Sequence, residues 1–234
     1  MSTLNKLQIT LSEEGMHLST VNEFETKELF LKWDNQENFS MIMENTFQLH
    51  LIDLQEIDVH IINQKFLLTP NEYYSSLFIS SYLEKAIGQK QIENCEMHHQ
   101  EIAKEDSMLS FYIPSSWKDY LAIRFPLSTF HYKHFLGNLL IQTSKFLRNQ
   151  MHVWIENKSA FVILRKNGRL QIANVYPCKD AIELAFYLHS IRESFDFVWT
   201  NDTFSIQGKR LLDQKFKTEL IGLSIPFPIA HEQA

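Results

Sequence analysis

Glycine is scarce in this chain: six of its 234 residues are glycine, against a usual share of about 7%. Loops that bind nucleotides use glycine, because their backbone must approach the phosphates closely. The low count therefore disfavours a glycine-rich phosphate loop. The sequence also contains neither a P-loop nor the serine nucleophile elbow of the hydrolases.

Three further absences narrow the class of protein. The two cysteines, Cys95 and Cys178, lie far apart and in no metal-ligand spacing, which predicts reduced thiols in a reducing compartment. The net charge is −6 and the pI is about 5.9, so we expect no nucleic-acid partner. No apolar run reaches about 18 residues, and MSTLNKLQ at the start lacks the apolar core of a signal peptide. We therefore expect a cytoplasmic protein without membrane insertion.

The clearest pattern in the chain is Met151–Pro177, MHVWIENKSAFVILRKNGRLQIANVYP, which predicts three consecutive strands. Val153 and Ile155 alternate with polar or amphipathic residues, as in a strand with one buried face. Asn167-Gly168 lies between two apolar runs, and both residues tolerate positive φ, so this dipeptide predicts a tight hairpin turn. Pro177 has no N–H to donate to a ladder and is expected to end the third strand.

A helix is predicted directly after these strands, over Lys179–Ser194. Asp180 suits the positive end of its dipole. The predicted buried stripe consists of Ile182, Ala185, Phe186 and His189.

The two halves of the chain show the same predicted order of elements, β-β-β-α-β-α. In the first half these are strands at Leu7–Leu11, Met16–Val21 and Lys27–Trp33, a helix at Asn35–Ile52, a strand at Ile57–Ile62 and a helix from Asn71 to Ile87. In the second half they are Met151–Val175, Lys179–Ser194, Thr203–Gln207 and Lys209–Leu220. The offset of about 145 residues indicates a structural duplication.

The region between these halves contains the predicted domain boundary. Met108–Ile113 is apolar and predicts a fifth strand of the first sheet, and Phe125–Thr129 is the predicted junction. We therefore expect an N-terminal subdomain at 1–126 and a C-terminal subdomain at 127–234. His98-His99-Gln100-Glu101 is interpreted as a polar strand edge, because adjacent side chains on a strand point to opposite faces and do not share a metal ion easily. His131 and His134 lie three residues apart and could share a helix face, and we interpret them as packing or hydrogen-bonding residues.

Several stretches together resemble a known superfamily: LQITLSEEGMHLSTV, DVHIINQKFLLTPNEYY, FPLSTFHYKHFLGNLL, MHVWIENKSAFVILRKNGRLQIANVYP and TFSIQGK. The chain is similar to an uncharacterised bacterial family with an actin-like ATPase fold, and in plan to the pilus-assembly PilM proteins. The resemblance implies an α/β protein with mixed sheets, made of two duplicated ribonuclease H-like subdomains. It also implies a cytoplasmic, bacterial setting and a cleft between the subdomains in which relatives bind ATP.

The residues that carry nucleotide chemistry in the superfamily are largely missing here. Its ATPases place an Asp and glycines in the turn between the first two strands of each half, where this chain has Ser12-Glu13-Glu14-Gly15 and Glu156-Asn157-Lys158-Ser159. Glu13 and Glu14 could be magnesium ligands, but we interpret them as solvated turn carboxylates. Gly208 stands alone where the family has a Gly-Gly, and we expect it to end a strand.

These residues predict no catalytic group, no cofactor and no metal. A ribonuclease H-like nuclease is also disfavoured, because the first strand offers Gln8 and Thr10 where that chemistry needs an Asp. The predicted function is a non-catalytic actin-like protein, a protein-interaction or assembly module with a protein partner. The alternative is a nucleotide-binding protein or weak ATPase, with Glu13, Glu14, Gly15 and Gly208 as its candidate residues.

Overall fold

Two units, Met1–Asn138 and Leu139–Ala234, make up the chain in this computed structural model. The structure describes residues 6–21, 26–34, 39–50, 54–88, 92–143, 148–156 and 158–226. In the first unit the elements are β1 (Lys6–Ser12), β2 (Gly15–Val21), β3 (Thr26–Lys32), α1 (Phe39–Ile42), β4 (Glu56–Ile61), β5 (Phe66–Pro70), α2 (Ile79–Ile87), β6 (Cys95–Ile102), β7 (Ser107–Pro114), α3 (Ser115–Arg124), β8 (Thr129–His134) and the start of α4 (Phe135–Gln142). In the second unit they are β9 (Gln150–Glu156), β10 (Ser159–Lys166), β11 (Arg169–Pro177), α5 (Ala181–Ser194), β12 (Thr203–Gln207) and α6 (Gln214–Gly222).

The main sheet of the first unit has the strand order β3-β2-β1-β4-β8. Its first three strands form an antiparallel meander, and β4 and β8 then add in parallel. The alternating apolar residues of β1 and β2 are buried in a core that they share with Trp117 and Leu121 of α3. The buried core on this sheet contains Leu7, Ile9, Leu11, Met16, Leu18, Ile57, Val59, Ile61, Trp117, Leu121 and Phe125.

The second unit repeats this plan with the order β11-β10-β9-β12, a meander followed by a parallel strand. Helices α5 and α6 cover one face of the sheet, where the buried residues include Met151, Val153, Ile155, Ala160, Val162, Leu164, Leu184, Leu188, Phe216 and Leu220. The predicted α/β fold with mixed sheets and two duplicated ribonuclease H-like subdomains is confirmed.

The prediction that Met108–Ile113 closes the first sheet is wrong. This segment lies in β7, the middle strand of a separate sheet with the order β5-β7-β6. The fifth strand of the main sheet is β8, which pairs with β4 from Glu56↔Thr129 to Ile61↔His134. A strand that is apolar on both faces can fill the middle of either sheet, so its pattern does not identify its neighbours. Residues 129–134, placed beyond the predicted 126/127 boundary, therefore belong to the sheet of the first unit.

Helices differ most from the sequence-based expectations. Within Asn35–Ile52, the described residues form α1 and a π-helical turn, Met43–Phe47, while residues 35–38 and 51–52 lie outside the described residues. Asn71–Tyr73 is a separate 3-10 turn before α2, which does end at Gly88 as predicted. Lys209–Leu220 is also divided, into a 3-10 turn at Lys209–Leu212 and α6, which Asp213 caps.

The predicted buried stripe of α5 is wrong as a set. Ile182 and Phe186 are 69% and 66% exposed. The buried face instead consists of Ala181, Leu184, Ala185, Leu188 and Ile191. Both sets have helical spacing, so periodicity alone does not decide which one meets the sheet. The N-cap is Asp180, whose carboxylate accepts a hydrogen bond from the Glu183 N–H.

The predicted Asn167-Gly168 hairpin is confirmed. The two residues have φ values of 52° and 76°, and Lys166 pairs with Arg169 across the turn. Positive φ at both central positions matches the twist of the flanking strands.

His134 is fully buried and forms hydrogen bonds to two other segments of the first unit. It lies on β8 and not on a helix, so it does not share a helical face with His131. Its Nε2–H donates to the carbonyl oxygen of Asn63 at 3.2 Å, and its Nδ1 accepts from the Leu136 N–H at 3.3 Å. The Asn63 side chain in turn donates to the Tyr112 carbonyl at 2.7 Å. Burial lowers the pKa of His134 to about 3, although the bond to Asn63 opposes the shift.

Replacing Gly168 by valine should lower the free energy of unfolding by about 1–3 kcal/mol, because a β-branched residue is strained at positive φ. Urea denaturation of the variant measures the loss. Gly222→Ala is the matched control, since a Cβ there meets nothing within 4 Å, and it should leave stability unchanged or slightly raised. An equally stable Gly168→Val protein would contradict the turn geometry.

Stability should also fall below neutral pH because of His134. The folded pKa is about 3, whereas the unfolded value is about 6.5. Between these values the unfolded chain binds more protons, so acid favours unfolding, by about 2 kcal/mol from this residue between pH 7 and pH 5. Imidazole nitrogen NMR should show a neutral His134 at pH 5, and His134→Gln should flatten the pH dependence. Titration of His134 near pH 6.5 in the folded protein would contradict this.

Candidate functional site

The turn between β1 and β2 is where the resemblance to actin-like ATPases implies a phosphate site. Glu13 and Glu14 form its tip and are exposed, whereas Gly15 is buried at the start of β2. The turn does not bring these carboxylates to further metal ligands. Among the described residues, no three His, Cys, Asp or Glu side chains are grouped so that they could hold a metal ion.

Gly15 is needed by the sheet itself. It has a φ of +155° and pairs with Lys32 on β3. A Cβ at this position would lie 2.3 Å from the carbonyl oxygen of Leu31, far inside van der Waals contact. The absence of a side chain at Gly15 therefore allows the neighbouring strand β3 to pack closely against its backbone.

The carbonyl at the start of the same turn is held by an aromatic side chain. The indole Nε1–H of Trp33 donates to the Ser12 carbonyl at 3.0 Å. The Trp33 ring stacks on Trp117 at 5.3 Å between centroids and meets the edge of Tyr120 at 5.0 Å. The Arg124 guanidinium lies 3.4 Å from the centre of the Tyr120 ring. We call Trp33, Trp117, Tyr120 and Arg124 the aromatic cluster. It contacts the turn through the hydrogen bond from Trp33 to Ser12.

The second candidate glycine, Gly208, has a comparable structural role. It has a φ of +126°, and a Cβ there would lie 2.0 Å from the carbonyl oxygen of Ile155 on β9. As predicted, it ends a strand: β12 stops at Gln207, and a 3-10 turn begins at Lys209. In the β9–β10 turn, the carbonyl of Lys158 accepts from the Cys178 N–H at 2.7 Å, while Asn157 lies outside the described residues.

The His98-His99 pair lies on β6, at the edge of the three-stranded sheet, as predicted. His98 packs against Tyr132 at 5.0 Å between ring centroids. His99 Nδ1 lies 2.9 Å from the Ser110 hydroxyl. The two rings contact different partners, and burial lowers the pKa of each.

The second unit contains a cavity that sequence reasoning missed. Its volume is about 280 Å³, and it is lined by Leu139, Gln142, Thr143, His152, Val153, Trp154, Phe161, Ile163, Ser205 and Gln207. His152 Nδ1 lies 2.7 Å from the Ser205 hydroxyl, between parallel strands β9 and β12. These partners are 53 residues apart, and no local pattern in the sequence pairs them.

Comparison with solved structures identifies the fold. A Bacteroides thetaiotaomicron VPI-5482 protein with an actin-like ATPase fold and unknown function superposes with a TM-score of 0.66 at 17% identity, over 94% of this chain and 87% of that one. A chain of the PilM-PilN type IV pilus biogenesis complex gives a TM-score of 0.58 at 10% identity, over 94% and 86%. Identities this low show the fold alone, and they confirm the predicted actin-like plan.

Two further observations concern curated relatives and membrane-spanning helices. No curated protein matches the chain. Within the ranges that the structure describes, no helix has the length and apolarity to cross a membrane.

The sequence profile of a single family matches residues 1–219, which is almost the whole chain. The predicted relation to a bacterial family of unknown function is thereby confirmed at the level of the family itself. The chain belongs to the family described as "Protein of unknown function (DUF3822)".

Proposed function

We propose that this protein is a non-catalytic actin-like module that binds a protein partner in the bacterial cytoplasm. The observation that carries the proposal is the closed β1–β2 turn. The backbone at Gly15 lies against Leu31, and the Ser12 carbonyl is bonded to Trp33. These contacts support a turn whose glycine serves strand packing and not phosphate binding.

The chemistry of phosphoryl transfer supports the non-catalytic part. Catalysis of this reaction depends almost entirely on positioned magnesium ligands and phosphate-facing amides. Glu13 and Glu14 are exposed, and an exposed carboxylate is strongly hydrated and holds a metal weakly without further ligands. Gly208, the other candidate, lies against Ile155. The two contacts support the proposal that neither half keeps the superfamily's phosphate geometry.

Exposed apolar side chains support a protein partner. Ile182 and Phe186 lie one turn apart on α5, and each is about two-thirds exposed. Phe78 and Tyr82 show the same spacing at the start of α2 and are 56% and 46% exposed. Contiguous apolar patches of this kind mark sites of protein association more often than isolated ones do. The PilM-PilN complex is an assembly with a similar chain, which favours a protein partner here.

Calorimetry with Mg-ATP should show no binding, and a phosphate-release assay should show no turnover. The reason is that both candidate glycines pack closely against a neighbouring strand, Gly15 against Leu31 and Gly208 against Ile155. The Glu13→Gln, Glu14→Gln double variant is the control and should behave as the wild type does. Magnesium-dependent binding with turnover that the double variant loses would contradict the proposal. Binding without turnover would favour the alternative, a nucleotide-binding protein of the same fold.

A charge placed on α5 should abolish partner capture. Tagged wild-type protein and the Phe186→Glu variant are compared by recovery of proteins from the native cytoplasm. Because Phe186 is 66% exposed, the variant should keep its melting temperature while losing the partner by tenfold or more, about 1.4 kcal/mol. Thr218→Glu adds the same charge to the exposed side of α6 and should recover the partner normally. Equal recovery by all three proteins would contradict a role for this surface.

A further inference from the structure

The cavity in the second unit lies on the face of the sheet that α5 and α6 do not cover. Strand register explains its walls. Phe161 on β10, Trp154 on β9 and Gln207 on β12 are aligned in one row across three strands. Ile163, His152 and Ser205 are aligned in the next row. The intervening residues of these strands, such as Val153, Val162 and Ile206, face the opposite side and belong to the buried core.

Residues from both rows contribute to an apolar wall and to a polar wall of the cavity. Trp154, Phe161 and Ile163 form the apolar wall together with Leu139 of α4. The polar wall carries hydroxyl, amide and imidazole groups, from Gln142, Thr143, His152, Ser205 and Gln207. A mostly apolar space with a few converging polar groups is the usual character of a small-molecule site.

The charge near the polar wall is positive. Arg165 follows Phe161 and Ile163 on the same face of β10 and is completely buried. Its Nη2 donates to the Thr143 hydroxyl at 3.4 Å. Burial, and then the charge of Arg165, lowers the pKa of His152, so the imidazole is neutral at pH 7. Among the lining residues the structure shows no carboxylate, and the Arg165 guanidinium lies beside the Thr143 hydroxyl at this wall.

One polar atom at this wall needs a partner that the described residues do not supply. His152 Nε2 is buried and has no hydrogen-bond partner among them, while Nδ1 is engaged by Ser205. Leaving a buried polar group unsatisfied is unfavourable. A bound molecule with an oxygen at the polar wall would remove that cost after a small movement of the ring.

We propose that this cavity binds a small organic carboxylate with a flat apolar body. The carboxylate lies at the polar wall, toward His152, Thr143 and the charge of Arg165. The body packs on Trp154 and Phe161. A volume of about 280 Å³ is at the lower end of the range of about 300–1,000 Å³ for ligand sites, which limits the ligand to about one ring and a short side chain.

NMR of the full chain tests both the location and the charge of the ligand. Phenylacetate is titrated against protein labelled at isoleucine methyl groups and tryptophan indoles, with phenylacetamide as the neutral isostere. We expect saturable shifts of the Ile163 methyl and Trp154 indole signals, with half-saturation at or below about 1 mM. Phenylacetamide should bind at least tenfold more weakly, because the amide lacks the charge that Arg165 and the donors favour.

Two variants separate the cavity from other surfaces. Ser205→Leu fills the space beside His152 and should abolish the shifts, while Ser190→Leu makes the same substitution on exposed α5 and should leave them intact. Circular dichroism and melting temperature show whether each variant is folded. Equal binding of the amide, shifts confined to other residues, binding retained by a folded Ser205→Leu protein, or no saturable shift up to about 10 mM would each overturn the proposal.

Discussion

The close approach of Gly15 to the backbone of β3 is the contact on which the first unit depends. It allows β2 and β3 to remain paired up to Lys32, so that Trp33 follows directly and reaches the Ser12 carbonyl. The indole is then placed to stack on Trp117, which joins the end of the meander to α3. A side chain at position 15 would collide with the Leu31 carbonyl and separate these strands. Trp33 would then no longer be held where it contacts Trp117 and Tyr120.

The second unit shows the same physical solution at a different place. Gly208 follows β12 and lies against Ile155, so its lack of a side chain serves strand packing. At both glycines, a side chain would meet backbone atoms of a neighbouring strand. The chain has the sheets and helices of an actin-like fold, and these two backbone contacts are why we propose binding without catalysis.

Local sequence patterns predicted where the strands lie, but not which strands and helices pack against them. Alternation at Val153 and Ile155 and the Asn167-Gly168 turn depend on adjacent residues, so the sequence alone was sufficient for them. The sheet to which Met108–Ile113 belongs, and the face that α5 buries, depend on what packs against them from elsewhere in the chain. Glu13 was located correctly in the β1–β2 turn, and Gly208 at the end of a strand. The contacts that decide the roles of the candidate residues, with Leu31, Trp33 and Ile155, and the His152–Ser205 pair, join segments that no local pattern connects.

Hydrogen exchange at the Trp33 indole tests the central claim most directly, because that N–H closes the β1–β2 turn. The chain has four tryptophans, so Trp33→Phe assigns the signal in a nitrogen–proton spectrum. The account predicts that the Trp33 indole proton exchanges slowly, since it is bonded to the Ser12 carbonyl. It also predicts that excess Mg-ATP changes neither its position nor its exchange rate. Rapid exchange, or a saturable shift of this signal with Mg-ATP, would show that the turn opens to a phosphate and would contradict the account.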